Sequence, residues 1–352
     1  STLFPYTTLF RSILSAVLSV RAQDIHFTQV LNNPLHINPA NAGGYDGYER
    51  VVLNYRNQWS AANATYSTMG FSFDMPFFQG KRSDKAHLGA GLTFFSDRAG
   101  DSRFGITQGA LSLAGIVPFD KNNRLIAGLQ IGYGQRSADI SKLQFGTQFN
   151  GQEHDPNLFS GESNTMNSFG YMDMGAGLRY EYVNKNDHIQ GWDFSRVSIG
   201  AAMYHINQPE MHYLAGSSEK INRKLVVHGS AHFDLPNSTF SLIPFFAYFS
   251  QGPLSELNMG TLLRIELNPG TKITGLLTES GLLAGLQWRR MDAFIPYVGY
   301  EFSGFSVGFT YDHNYSTLKT VSRGIGAFEI SLKYHNVKGA LFTRRTGSRM
   351  YD

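Results

Sequence analysis

Between Asp292 and His335, apolar and polar residues alternate through three successive runs, 293–302, 305–313 and 323–334. In the second run Phe305, Val307, Phe309 and Tyr311 alternate with Ser306, Gly308, Thr310 and Asp312. In the third, Phe328, Ile330, Leu332 and Tyr334 alternate with Ala327, Glu329, Ser331 and Lys333. A period of two sends alternate side chains to opposite faces of a strand, so each run has one greasy face and one small, polar or charged face. Two architectures accept that pattern. A soluble sandwich packs the apolar face on a second sheet, whereas a transmembrane barrel turns it to lipid and lines its lumen with the polar face.

The remainder of the chain favours the barrel. The clearest run sets Met172, Met174, Ala176, Leu178, Tyr180 and Tyr182 against Asp173, Gly175, Gly177, Arg179 and Glu181. The same alternation recurs from Val51 onward, least cleanly over 104–117, and predicts about fourteen antiparallel strands of roughly 9–13 residues across 49–335. Charges on the polar faces (Asp173, Arg179, Glu181, Arg264, Glu266, Glu329) are candidate lumen residues, of both signs, and predict a lumen crossed by ion pairs. Tyr55, Phe94, Tyr133, Tyr180, Tyr182, Tyr204, Trp288 and Tyr334 fall near strand ends, where interfacial girdles would lie. A mean hydropathy of −0.23 excludes a helical membrane protein, but strands half polar in composition escape hydropathy altogether. A net charge of +3, spread along the chain, gives no nucleic-acid surface.

Four segments follow from local composition. Residues 1–22 read as a signal peptide, with an apolar run at 13–20 and a cut after Val20-Arg21-Ala22; residues 1–12 resemble translated sequencing-adaptor text. Residues 23–48, with Pro34, Pro39 and several Asn and Gly, can form neither a long helix nor a central strand and predict a short plug or a strap across the barrel mouth. The barrel occupies 49–335. The tail 336–352 carries Lys338, Arg344, Arg345 and Arg349 against Asp352 alone. Long connections at 137–167 and 207–222 follow the fifth and seventh strands, which places both on the external side if the two termini are periplasmic.

Signs of chemistry are sparse. His228 and His232 share a strand face but stand roughly 13 Å apart, too far to chelate one ion. Asp312 and His313 point to opposite faces. Glu153, Asp155 and Glu162 lack the spacing of a calcium loop. The expectation is a protein that is not an enzyme and needs no cofactor or metal.

One set of words is more specific. Asp24-Ile25-His26-Phe27-Thr28-Gln29 is followed by Asn38-Pro39-Ala40 with Gly43, then by Arg50 and Tyr55-Arg56-Asn57-Gln58-Trp59; near the end come Val307-Gly308-Phe309-Thr310-Tyr311-Asp312 and Phe328-Glu329-Ile330-Ser331-Leu332-Lys333-Tyr334. Together these resemble the PorP/SprF family of outer-membrane proteins of the Bacteroidetes type IX secretion and gliding-motility apparatus. The first dozen residues and the basic extension past Tyr334 depart from the family pattern. The resemblance implies a place in the outer membrane and a role in exporting or retaining cargo with a type B C-terminal sorting domain, such as gliding adhesins. It also implies periplasmic or lipoprotein partners in the secretion machine, and it supplies no catalytic residues. A passive transporter of a hydrophobic or small solute, like the fatty-acid channels, is the alternative reading. Asn38, Pro39, Ala40 and Gly43 are the candidate plug residues, and Arg50, Arg56 and Trp59 either anchor the plug or pair within the lumen.

Overall fold

The computed structural model describes residues 24–58, 66–78, 85–100, 104–137, 146–153, 155, 157–159, 168–185, 194–212, 219–236, 238–268, 280–316 and 324–336. The signal-peptide segment, Gln23, Trp59, Glu162 and the basic tail beyond Asn336 lie outside them.

Fourteen antiparallel strands close into a barrel. The first half runs through β1 (Glu49–Gln58), β2 (Tyr66–Phe77), β3 (His87–Ala99), β4 (Phe104–Pro118), β5 (Asn123–Ser137), β6 (Phe169–Lys185) and β7 (Phe194–Tyr204). Inside the next connection β8 (Glu210–Met211) and β9 (Glu219–Lys220) pair as a separate two-stranded ribbon; composition alone read that stretch as loop. The barrel resumes with β10 (Lys224–Asp234), β11 (Phe240–Gln251), β12 (Leu254–Asn268), β13 (Ser280–Arg289), β14 (Ala293–Phe302), β15 (Phe305–Asn314) and β16 (Ile325–Asn336). Each barrel strand pairs with its neighbours along the chain, and β16 pairs back onto β1 with Leu53 opposite Leu332 and Arg56 opposite Glu329. Closure leaves no strand edge with unpaired backbone groups, the condition for a sheet to survive in hydrocarbon.

The two faces differ as the alternation predicts. Leu88, Leu92, Leu111, Leu113, Leu129, Ile131, Met174, Leu178, Val298 and Phe309 stand exposed on the outer wall, while Asp173, Arg179, Glu181, Asp312 and Glu329 are buried inside. No second sheet covers the outer wall among the described residues, so its apolar surface is the lipid face.

The inside is less polar than the alternation implies. Val226, Phe245, Phe249, Leu262 and Leu283 point inward to one apolar cluster, with Val30 and Ile37 of the N-terminal segment; Ala114, Ile116 and Ile126 form another with Leu35, Ala40 and Ala42. Tyr204, expected in a girdle, instead lies buried inside, where its hydroxyl donates to the Leu35 carbonyl (3.3 Å). These residues face inward because the lumen is filled with protein. Residues 24–48 run through it as a 3-10 turn at Val30–Asn32, one turn of α-helix at Pro34–Ile37 and a second 3-10 turn at Pro39–Asn41. Each proline opens its turn, where its missing N–H leaves nothing unpaired.

The outer wall supplies a direct check. Leu111→Arg, at mid-height on β4, should destabilise the folded barrel in bilayers by about 2–4 kcal/mol, measured by reversible urea titration in lipid. Neutral behaviour would mean that this face does not meet acyl chains.

Candidate functional site

The lumen and the segment threaded through it form the candidate site. The segment's short turns pair only some of its backbone groups, and the barrel backbone is already committed to its ladder. Inward side chains therefore have to supply the partners.

Near the amino-terminal end of the segment the Glu329 carboxylate accepts the N–H groups of Thr28 (2.6 Å) and Gln29 (3.1 Å). The Gln29 amide donates to the carbonyls of Gly308 (3.3 Å) and Glu329 (3.0 Å), so it reads both sides of the β15–β16 ladder. Arg56 donates to the His26 carbonyl (2.8 Å) and reaches Asp312 (3.4 Å). Arg289 joins Asp312 (2.8 Å) to the Thr28 hydroxyl (2.8 Å). Removing one member of such a buried set strands the others without solvent, at a cost of about 3–5 kcal/mol.

The Asn38-Pro39-Ala40 motif acts as a cap. The Asn38 side-chain oxygen accepts the Ala40 N–H (2.8 Å), and Pro39 fixes the first residue of the turn. The other end of the amide donates to the wall at the Leu178 (3.0 Å) and Ala201 (3.3 Å) carbonyls and meets Nε2 of His228 (3.0 Å). Ala40 lies against Gly128, where any side chain would collide with the turn's backbone. Gly43 has φ +61° and approaches Gly89 so closely that an added Cβ would stand 2.7 Å from its Cα; only glycine fits both demands. His228 and His232 take separate partners, the latter bonding Asp234 at 3.0 Å.

Towards the end where β1 begins, Arg50 grips Asp74 (2.8 Å) and donates to the Asn41 carbonyl (3.1 Å), while Asp74 accepts the Gly43 N–H (2.8 Å). Arg179 donates to the Asn41 side chain (2.7 Å), to the Gly44 carbonyl and to Glu181 (3.1 Å). Arg124 also pairs with Glu181, and Arg196 holds Asp46 at 2.7 Å. Arg264 pairs with Glu301 across the wall (2.7 Å) rather than with the segment, and Glu266 is half-buried near the same barrel end.

At the opposite end His205 bridges two carboxylates, with Nδ1 on Asp173 (2.8 Å) and Nε2 on Asp24. Gln251 accepts the Asp24 N–H (3.0 Å), Gln108 donates to Asp173 (3.1 Å), and Arg136 lies 3.8 Å from Asp24. Burial alone would push the His205 imidazole down; Asp24 and Asp173 outweigh it and push it up to about 9. Burial likewise opposes ionisation of Asp24, but His205, then Lys224 and Arg136, hold it well below the ordinary carboxylate range.

One of these residues, His205, carries no sequence signal. His205 sits in a connection with φ +54°, outside any alternating run. Asp74, Asp312, Arg289, Arg124 and Arg196 do lie on inward faces of predicted strands, and their parity could have nominated them.

A closed, lipid-faced barrel with a charged lumen stoppered by its own amino-terminal segment defines an outer-membrane β-barrel of the plugged kind. The chain belongs to the family of type IX secretion system membrane proteins PorP/SprF, whose model matches residues 19–334, and its place is the outer membrane. No curated protein matches it. Among solved structures it is similar to the Ralstonia pickettii toluene transporter TbuX, with 11% identity over 86% of this chain and 93% of that one and a TM-score of 0.45. A deltaS2 mutant of the monoaromatic hydrocarbon channel TodX gives 9% identity over 86% and 93% and a TM-score of 0.46. The translocator domain of the autotransporter NalP from Neisseria meningitidis gives 11% over 87% and 95% and a TM-score of 0.41.

The His205 bridge has a pH signature. A histidine raised in the folded state stabilises fully below its free value near 6.5 and loses that contribution as pH rises through about 9. Hydrogen exchange at residues 25–28 should therefore quicken between pH 7 and 10 beyond its intrinsic rate. His205→Gln should flatten that excess; an unchanged profile would remove the bridge from the account.

Proposed function

We propose that this barrel is an anchor of type IX secretion, a binding scaffold and neither a catalyst nor a conduit. It holds exported cargo, through a type B C-terminal sorting domain, against external connections, chiefly 137–167. The turns at the opposite end and the basic tail hold periplasmic or lipoprotein components of the machine. Family membership supports the secretion role, and the observation that carries the anchor reading is the filled lumen. Side chains from β1, β2, β6, β13, β15 and β16 all grip residues 24–48. The void beside Asp24, His36 and Gln108 amounts to about 60 Å³, room for a few waters. The alternative, passive transport of a hydrophobic or small solute, needs a continuous or gated path, which so dense a lumen disfavours.

Within the 137–167 connection, Phe149, Leu158 and Phe159 stand exposed on a stretch tied down by Asp155 N–H to the Gln148 carbonyl (2.8 Å) and Gln148 to the Leu158 carbonyl (3.1 Å). Large apolar side chains exposed on a hydrogen-bonded stretch suit a protein partner. Replacing residues 138–167 with a short Gly-Ser turn should abolish retention of sorting-domain cargo on cells while the barrel still assembles. Cargo attachment at the original level would overturn the proposal.

A further inference from the structure

The direction of the lumen segment places the start of the chain where strand counting did not. Asp24 is bound by residues from one rim of the barrel: Arg136 near the end of β5, His205 just past β7, Lys224 at the start of β10 through the Ile25 carbonyl (3.4 Å), and Gln251 at the end of β11. That rim bears the long connections after β5 and β7. Asp46 is bound at the other rim, by Arg124 near the start of β5 (3.5 Å) and Arg196 near the start of β7 (2.7 Å). The Tyr48 N–H then donates to the carbonyl of Asn336, the last residue of β16 (2.8 Å).

Strand β5 measures the distance covered, since Arg124 and Arg136 grip opposite ends of the segment. The twelve residue steps from one to the other span about 40 Å along the strand at ~3.4 Å each. At a tilt of about 40° that is roughly 30 Å of depth, the thickness of the hydrocarbon core. Asp24 and Asp46 therefore sit at opposite faces of the membrane.

We propose that the chain threads its own barrel, so that its amino-terminal end is displayed on the face carrying the β5–β6 and β7–β10 connections, opposite the face where β16 ends. Asp24 itself is held in the ring of Arg136, His205, Lys224 and Gln251, on the rim that bears those connections. A proteinaceous partner docking on that face meets the amino-terminal end as well as the loops. The geometry holds whatever that partner is, so it stands or falls apart from the cargo reading.

The chain contains no cysteine, which makes the test simple. Three single-cysteine variants of the full chain would be labelled with a membrane-impermeant maleimide in intact and in permeabilised cells. Gln23→Cys reports the amino-terminal end. Met291→Cys marks the tight turn between β13 and β14 on the loop face, and Lys121→Cys the turn between β4 and β5 on the opposite face; both positions are exposed. Heat-modifiable gel mobility certifies that each barrel is folded. Gln23→Cys should follow Met291→Cys in both states and differ from Lys121→Cys. Labelling that follows Lys121→Cys, or that stays blocked in both states, would overturn the threading.

Discussion

An irregular stretch of backbone inside a membrane barrel has no water to turn to, and every N–H and C=O that its own short turns leave unpaired must find a partner in the wall. That requirement accounts for most of the lumen's composition. Glu329 accepts two consecutive N–H groups at Thr28 and Gln29, Asp74 accepts the one at Gly43, and Arg56 and Arg179 donate to the His26 and Gly44 carbonyls. The charges that serve the segment then need counter-charges, which is why Arg289 stands beside Asp312 and Arg124 beside Glu181. An open porin has no need of so many buried pairs, since water solvates its lumen.

The same constraint shapes the wall. Where the segment's turns touch the sheet, as at Gly89 and Gly128, the inward positions are glycine, because a Cβ would fall on the segment's backbone. Where its apolar side chains touch, the inward positions are Ile116, Ile126, Val226 and Leu262. The barrel is thus apolar outside for lipid and locally apolar inside for its own amino-terminal residues.

Much of this was legible in residue order. Period-two alternation in 305–334 alone suits a sandwich or a barrel; its recurrence from Val51 to Tyr334, with charges on the polar faces, is what predicts a lipid-faced barrel of about fourteen strands. Asn38, Pro39 and Ala40 stand out in the sequence only as candidate plug residues, and the capped turn they form is seen in the structure. What stayed hidden depends on contacts between distant positions. The run Phe245-Phe246-Ala247-Tyr248-Phe249 on β11 is apolar on both faces, which alternation alone read only as another strand, and its inward half is explained by Val30 and Ile37 some two hundred residues earlier. His205 acquires its role only because a connection folds it between Asp24 and Asp173. Strand parity assumed that both ends of the mature chain share one face, and it could not foresee that residues 24–48 pass through the lumen before β1 begins.

The central claim is that the lumen is filled by the chain itself, which makes the barrel a holder and not a pore. Single-channel recording of the purified full-length protein in a planar bilayer tests it most directly. The account predicts no steady ion conductance for the intact chain and open-pore conductance once residues 25–47 are removed. Steady porin-like current through the intact protein would contradict it.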